Sequence, residues 1–109
     1  MDAVERQLTA YNARNADAFA GCYARDVVIE DLDGEVVMRG RDEVRRLYGA
    51  LFESHPGLHA EVRSRIRIGQ WVVDEERVEG LADDEVHAVA IYRLAKDGLI
   101  ERVRFLHGS

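Results

Sequence analysis

The chain has 109 residues, of which 47% are hydrophobic and 33% charged, and its formal net charge is −6. This length fits a single domain, 1–109, and this composition is typical of a globular protein rather than a disordered chain. The acidic balance argues against nucleic acid and anionic membranes as partners, because both attract basic proteins.

Three segments in the first half of the chain have the apolar spacing of helices. Asp2 is placed to cap the first, and Asn15 to cap a second, shorter helix from Ala16 to Tyr23. The third has a wide apolar stripe at spacings i, i+3, i+4, i+7 and i+8. That stripe consists of Val44, Leu47, Tyr48, Leu51 and Phe52.

Six segments have the apolar or alternating pattern of strands, two before the third helix and four after it. Their predicted ranges are 27–30, 35–39, 58–68, 71–81, 85–95 and 99–107. The order α-α-β-β-α-β-β-β-β predicts an α+β fold in which helices cover one face of a curved, mostly antiparallel sheet.

Alternation along the last two strands predicts which side chains face the helices. Ala90 and Tyr92 belong to a wholly apolar face, which we expect to be the inner one. In the final strand Arg102 and Arg104 mark the outer face, so the residues that alternate with them should face inward. These are Val103, Phe105 and His107.

The outer face of these strands is unusually apolar, since it combines Val89 and Ile91 with Ile100 and Leu106. Such a face is typical of a sheet that packs against a second copy, so we predict a homodimer. The alternative is a set of scattered exposed hydrophobic residues.

The strand 71–81 has charges on both faces, and its alternation does not decide which face points inward. One face contains Asp74 and Glu76, and the other contains Arg77 and Glu79. Whichever charges face the cavity are tolerable only if they are paired and hydrogen-bonded.

Asp31 follows a short apolar strand and precedes the turn Asp33-Gly34. A carboxylate at the end of a buried strand is a usual place for a site residue on a rigid scaffold. As a pocket residue, Asp31 would be surrounded by apolar walls and could serve as a general base. Alternatively, Asp31 caps its own turn through its side chain.

Other sequence features restrict the chemistry and the location. Cys22 is the only cysteine, which excludes an internal disulfide. His55 and His59 have no carboxylate at regular spacing, and there is no glycine-rich phosphate loop, so we predict neither a metal nor a cofactor.

No apolar run approaches the ~18 residues of a membrane span, and the first residues do not resemble a signal peptide. We therefore expect a cytoplasmic protein.

The order of elements resembles the nuclear transport factor 2-like superfamily, and within it SnoaL-like domains and ketosteroid isomerases. The residues that support this resemblance are Asn12, Ala16-Asp17, Asp26, Glu30-Asp31 and the run 40–44. It spans the whole chain. It implies a cone-shaped α+β barrel of cystatin-like type, with a pocket roofed by three N-terminal helices and dimerisation through the outer sheet face. The superfamily includes isomerases, cyclases, hydrolases and non-catalytic binding modules, so the fold alone does not give the function.

The resemblance also implies roles for single residues. Asp31 lies where ketosteroid isomerases have their general-base aspartate. Their two oxyanion donors are absent, because Gln7 and Ala90 occupy those positions, and this argues against steroid isomerisation. Tyr11 or His107 would have to act as the hydrogen-bond donor instead.

A further resemblance, to limonene epoxide hydrolase, implies that Arg77 orients a water molecule and that Glu79 activates it. It also favours the face of Arg77 and Glu79 as the inner face of the strand 71–81. We therefore predict cofactor-free acid–base chemistry on a small hydrophobic ligand, or non-catalytic binding of such a ligand. The predicted catalytic residues are Asp31, His107, Arg77 and Glu79. The predicted pocket residues are Gln7, Tyr11, Leu47, Ala90, Tyr92, Val103 and Phe105.

Overall fold

A computed structural model describes residues 1–108, which form nine elements in the predicted order and confirm the α+β class. The helices are α1 (Ala3–Asn12), α2 (Ala16–Ala20) and α3 (Arg41–Ser54). The strands are β1 (Tyr23–Asp31), β2 (Val36–Arg39), β3 (His59–Ile68), β4 (Trp71–Glu79), β5 (Val86–Leu94) and β6 (Ile100–Gly108).

The strands form one curved sheet in the order β2-β1-β6-β5-β4-β3. All neighbours are antiparallel except β1 and β6, which run parallel. A parallel pair needs a long crossover, and here the whole segment from β2 to β5 provides it. The sheet is open, with β2 and β3 at its edges, so it curves as predicted but does not close into a barrel.

The three helices pack on one side of the sheet, which we call the concave face. Asp2 caps α1 by accepting a hydrogen bond from the Glu5 backbone N–H. Apolar side chains from the helices and the concave face form the core, and burial of this area is the main stabilising contribution to the fold. Its fully buried members include Val4, Phe19, Val27, Ile29, Val44, Leu58 and Ile100. No helix within residues 1–108 is long and apolar enough to cross a membrane.

The second helix is shorter and the first strand longer than predicted. Gly21 is the C-cap of α2, and Tyr23 already pairs with Ile100 in β6. The Ile100 backbone N–H also donates to the Cys22 carbonyl at 3.0 Å. Sheet pairing thus overrides the helical pattern of this segment, although Cys22 and Tyr23 are buried as expected.

Ile100 was predicted on the outer face, but its side chain is fully buried. The register between β5 and β6 shifts after Arg93, because an irregularity separates the pair Arg93–Arg102 from the pair Leu94–Ile100. A bulge of this kind reverses the alternation of side chains along a strand. Counting alternate residues back from Arg102 therefore assigns Ile100 to the wrong face of the sheet.

Asn12, the last residue of α1, connects this helix to the edge strand β3. Its Oδ1 accepts a hydrogen bond from the Ala60 N–H at 2.7 Å, and its Nδ2 donates to the Ala60 carbonyl at 3.0 Å. Arg14 donates to the Leu58 carbonyl at 2.9 Å just beyond. These contacts hold α1, which contributes Gln7 and Tyr11 to the site described below, against the sheet.

Candidate functional site

A cavity of about 340 Å³ lies between the helices and the concave face. This volume is near the lower end of the ~300–1,000 Å³ range typical of small-molecule sites, so it suits a small ligand. Aliphatic and aromatic side chains form most of its wall. The aromatic ones are Tyr11, Phe19, Tyr23, Tyr48, Tyr92 and Phe105.

The structure places all seven predicted pocket residues around this cavity. They are Gln7, Tyr11, Leu47, Ala90, Tyr92, Val103 and Phe105. His107 lines the cavity as well, with its ring centroid 5.1 Å from that of Phe105. Its side chain is exposed, so it lies where the cavity meets solvent. That any of these residues contacts a ligand stays a prediction.

Gln7 organises a buried hydrogen-bond network at the cavity wall. Its Nε2 donates to the Tyr92 hydroxyl at 3.2 Å and to the Val4 carbonyl at 3.0 Å, and its Oε1 accepts from the Tyr23 hydroxyl at 3.3 Å. Burial raises the pKa of both tyrosines well above the ordinary value, so both hydroxyls stay protonated. Because Tyr92 accepts from Gln7, its own hydrogen is available to an acceptor in the cavity.

Asp31 lies at the end of β1, as predicted, but it is not among the residues that line the cavity. Its Oδ1 accepts hydrogen bonds from the backbone N–H groups of Asp33 and Glu35, both at 3.0 Å. This is the turn-capping arrangement that the sequence left open as the alternative. The geometry therefore gives no support to Asp31 as a pocket base.

Arg77 and Glu79 also lie outside the cavity lining. Val72 and Val78 are buried on the concave face, and alternation sends Arg77 and Glu79 to the opposite, convex face. There Arg77 forms an ion pair with Glu85 at 3.5 Å. The pair implied by the resemblance to limonene epoxide hydrolase is thus not placed to act on a molecule in the cavity.

The concave face of β4 instead carries Asp74 and Glu76. The Asp74 side chain has no solvent exposure and forms a two-pronged ion pair with Arg65 of β3, with distances of 2.6 Å and 2.9 Å. Two parallel N–H···O bonds of this kind are the strongest form of the interaction. They neutralise a charge that would otherwise be costly to bury.

Glu76 lines the cavity and has no hydrogen-bond partner among residues 1–108. Burial raises the pKa of its carboxyl group to about 7, and the negative charge of Asp74 adds to this effect while Arg65 opposes it. Alternation left two possible inner faces for β4, and the resemblance to limonene epoxide hydrolase favoured the face of Arg77 and Glu79, which is wrong because Glu76 is the one that lines the cavity. The signal that could have selected the Glu76 face is the pair of valines at its ends, Val72 and Val78.

An open curved sheet covered on one side by helices, with an apolar cavity between the two layers, defines a small α+β protein of cystatin-like or NTF2-like fold. The chain belongs to the SnoaL-like domain family, whose model matches residues 4–103. This confirms the predicted superfamily. None of the curated proteins matches the sequence.

Solved structures of the same fold cover nearly the whole chain. An uncharacterised cystatin-fold protein from Novosphingobium aromaticivorans is 25% identical, with a TM-score of 0.86 over 95% of this chain and 94% of its own. A SnoaL-like protein of unknown function from Burkholderia thailandensis is 18% identical, with a TM-score of 0.82 over 97% and 92%. A protein with a ketosteroid isomerase-like fold from Catenulispora acidiphila, in complex with trimethylamine, is 19% identical, with a TM-score of 0.78 over 95% and 83%.

Proposed function

We propose that this chain binds a small, mainly apolar molecule in the cavity between its helices and its sheet. The observation that carries the proposal is the 340 Å³ space itself, which well-packed cores do not contain. A concave apolar site with a few convergent polar groups is the usual form of a small-molecule site. Here those groups are Glu76, Gln7 and Tyr92. A cytoplasmic location stays a prediction.

A second candidate function is cofactor-free acid–base catalysis on the bound molecule. One observation favours it, namely that the pKa of Glu76 is raised to about 7. A carboxyl group with this pKa can both accept and return a proton near neutral pH, as a general base must. In this proposal Glu76 takes the role that the sequence suggested for Asp31.

The cavity proposal is tested by native mass spectrometry after incubation with a metabolite extract. We expect wild-type protein and Asp31→Asn to retain the same small molecule. Ala90→Phe should retain none, because Ala90 lines the cavity and a larger side chain there fills it. A wild-type protein that retains nothing contradicts the proposal. Conversion of the retained molecule by wild type but not by Glu76→Gln would select catalysis over simple binding.

We also propose that the convex face of the sheet packs against a second copy of the chain. The exposed large apolar residues Ile66, Ile68, Trp71 and Leu106 lie on this face, on β3, β4 and β6. Exposed apolar surface of this kind is typical of an interface.

Light scattering should give a mass of twice 12.4 kDa for the wild type. Ile66→Lys should shift this mass towards that of the monomer, whereas Glu53→Lys on the exposed side of α3 should not. A monomeric wild type at micromolar concentration would refute the dimer.

A further inference from the structure

The charges on the concave face of β3 and β4, beside and within the cavity, do not balance. Arg65 and Asp74 neutralise each other through their two hydrogen bonds of 2.6 Å and 2.9 Å. Glu76, two residues beyond Asp74 on the same face of β4, has no such partner among the residues that the structure describes. His107 is at the exposed end of the cavity. When Glu76 ionises, the interior of the cavity therefore carries one uncompensated negative charge.

Aromatic side chains form part of the remaining wall, beside aliphatic ones. Tyr11, Tyr48 and Tyr92 are close enough to Glu76 for its charge to raise their pKa values further, beyond the effect of burial. The Tyr11 and Tyr48 ring centroids are 6.4 Å apart, and that of Phe19 lies 4.5 Å from that of Tyr48. Aromatic rings present negative faces, which attract cations by about 0.5–2 kcal/mol each, and more strongly where water is excluded.

These features discriminate between classes of ligand. An anion would meet the charge of Glu76 directly. A metal ion needs several oxygen or nitrogen ligands, and residues 1–108 contain no cluster of three or more side chains that could hold one. A neutral molecule would fill the space but leave the carboxylate without a partner. An organic ammonium ion satisfies both the carboxylate and the aromatic wall.

We propose that the cavity binds a small organic ammonium ion, with Glu76 as its counter-ion and the tyrosine and phenylalanine rings around it as an aromatic cage. This inference rests on the proposed binding function and specifies its ligand class. The volume of about 340 Å³ restricts the ligand to a compact cation with a limited apolar substituent.

The test compares three ligands of one shape and different charge, followed by NMR titration of the full-length chain at pH 8. Phenyltrimethylammonium is the cation, tert-butylbenzene its neutral isostere, and 2-methyl-2-phenylpropanoate the anion. We expect the cation to bind at least about tenfold more tightly than the other two, the ratio that about 1.4 kcal/mol provides. Glu76→Gln should abolish this preference, and Glu61→Gln, which removes an exposed carboxylate from β3, should retain it.

The outcomes separate the inference from the proposed function. If the neutral isostere binds as tightly as the cation, the ammonium inference is wrong and the cavity proposal stands. If none of the three binds, both are contradicted. Glu76→Gln is informative in either case because it removes a charge from a partly buried position and is therefore expected to fold.

The pH dependence gives a second, independent readout. Phenyltrimethylammonium does not titrate, so its affinity should follow the ionisation of Glu76 and increase by on the order of tenfold between pH 5.5 and 8. Arg65 and the tyrosines that face Glu76 keep their protons over this range. His107 also lines the cavity, so His107→Asn is the control that isolates the effect of Glu76. The dependence should persist in His107→Asn and disappear in Glu76→Gln; the reverse result would overturn the inference.

Discussion

Replacing Arg65 with methionine is expected to lower the free energy of unfolding by about 3–5 kcal/mol. The substitution keeps most of the aliphatic stem but removes the guanidinium that pairs with Asp74 at 2.6 Å and 2.9 Å. Asp74 has no solvent exposure, so its carboxylate would then be buried without a counter-charge. Removing one partner of a buried pair costs far more than the pair contributes, because the other charge is left uncompensated.

Urea unfolding followed by circular dichroism measures this loss. Arg63→Met is a matched control on the same strand, because Arg63 forms only an exposed pair with Glu61 at 3.7 Å. Exposed pairs contribute about 0–1 kcal/mol, so this control should change little. The double variant Arg65→Met/Asp74→Leu should recover most of the stability. Equal losses for Arg65→Met and Arg63→Met would show that the buried pair is not what the substitution disrupts.

Glu76→Gln is expected to stabilise the protein at alkaline pH and to have little effect in acid. The pKa of Glu76 rises from its ordinary value of 4.5 to about 7 on folding. Below pH 4.5 the carboxyl is neutral in both the folded and the unfolded protein. Between pH 4.5 and about 7 the unfolded protein has lost this proton while the folded protein keeps it, so the wild type loses about 3 kcal/mol relative to the glutamine variant over this range, and the difference levels off above pH 7.

Unfolding free energies of the two proteins at intervals from pH 4 to pH 9 test this expectation. Glu75→Gln provides a control of opposite sign, since hydrogen bonds from His87 at 2.6 Å and from Ser64 at 3.0 Å hold the pKa of Glu75 below its ordinary value. Glu75 therefore stabilises the fold above its unfolded pKa, and this contribution is lost in acid. A constant difference between wild type and Glu76→Gln across the whole pH range would contradict the raised pKa.

The fold could be predicted from the sequence because its elements have strong local signals. The apolar stripe of α3 and the alternation of β5 both predict the faces that the structure turns towards the core and the cavity. The wrong predictions occur where tertiary contacts determine the local structure. Tyr23 pairs with β6 rather than extending α2, and a bulge turns Ile100 into the core. Neither contact is encoded by the residues next to it.

The site was harder to predict than the fold for a related reason. The residues around the cavity follow from strand and helix faces. Arg77 and Glu79 were chosen by resemblance to catalysts of the superfamily, and Asp31 was chosen by its place at a strand end together with that resemblance. Both faces of β4 contain carboxylates. The face with Asp74 can point towards the core because Arg65 neutralises the Asp74 carboxylate. That partner is nine residues away in sequence. No local pattern links the two, so alternation left the inner face of β4 open, and the resemblance favoured the face opposite Glu76.

The contacts of Asn12 and Arg14 with β3 restrict how this protein can assemble. Their side chains occupy the Ala60 N–H and the carbonyls of Ala60 and Leu58, which are the backbone groups that an incoming strand would need. Exposed strand edges are templates for uncontrolled polymerisation, and natural sheets commonly block them. At this end of β3 the helix C-terminus acts as that block. Strand-to-strand growth is thereby hindered at this end of the edge, which is consistent with the proposed dimer using the sheet face instead.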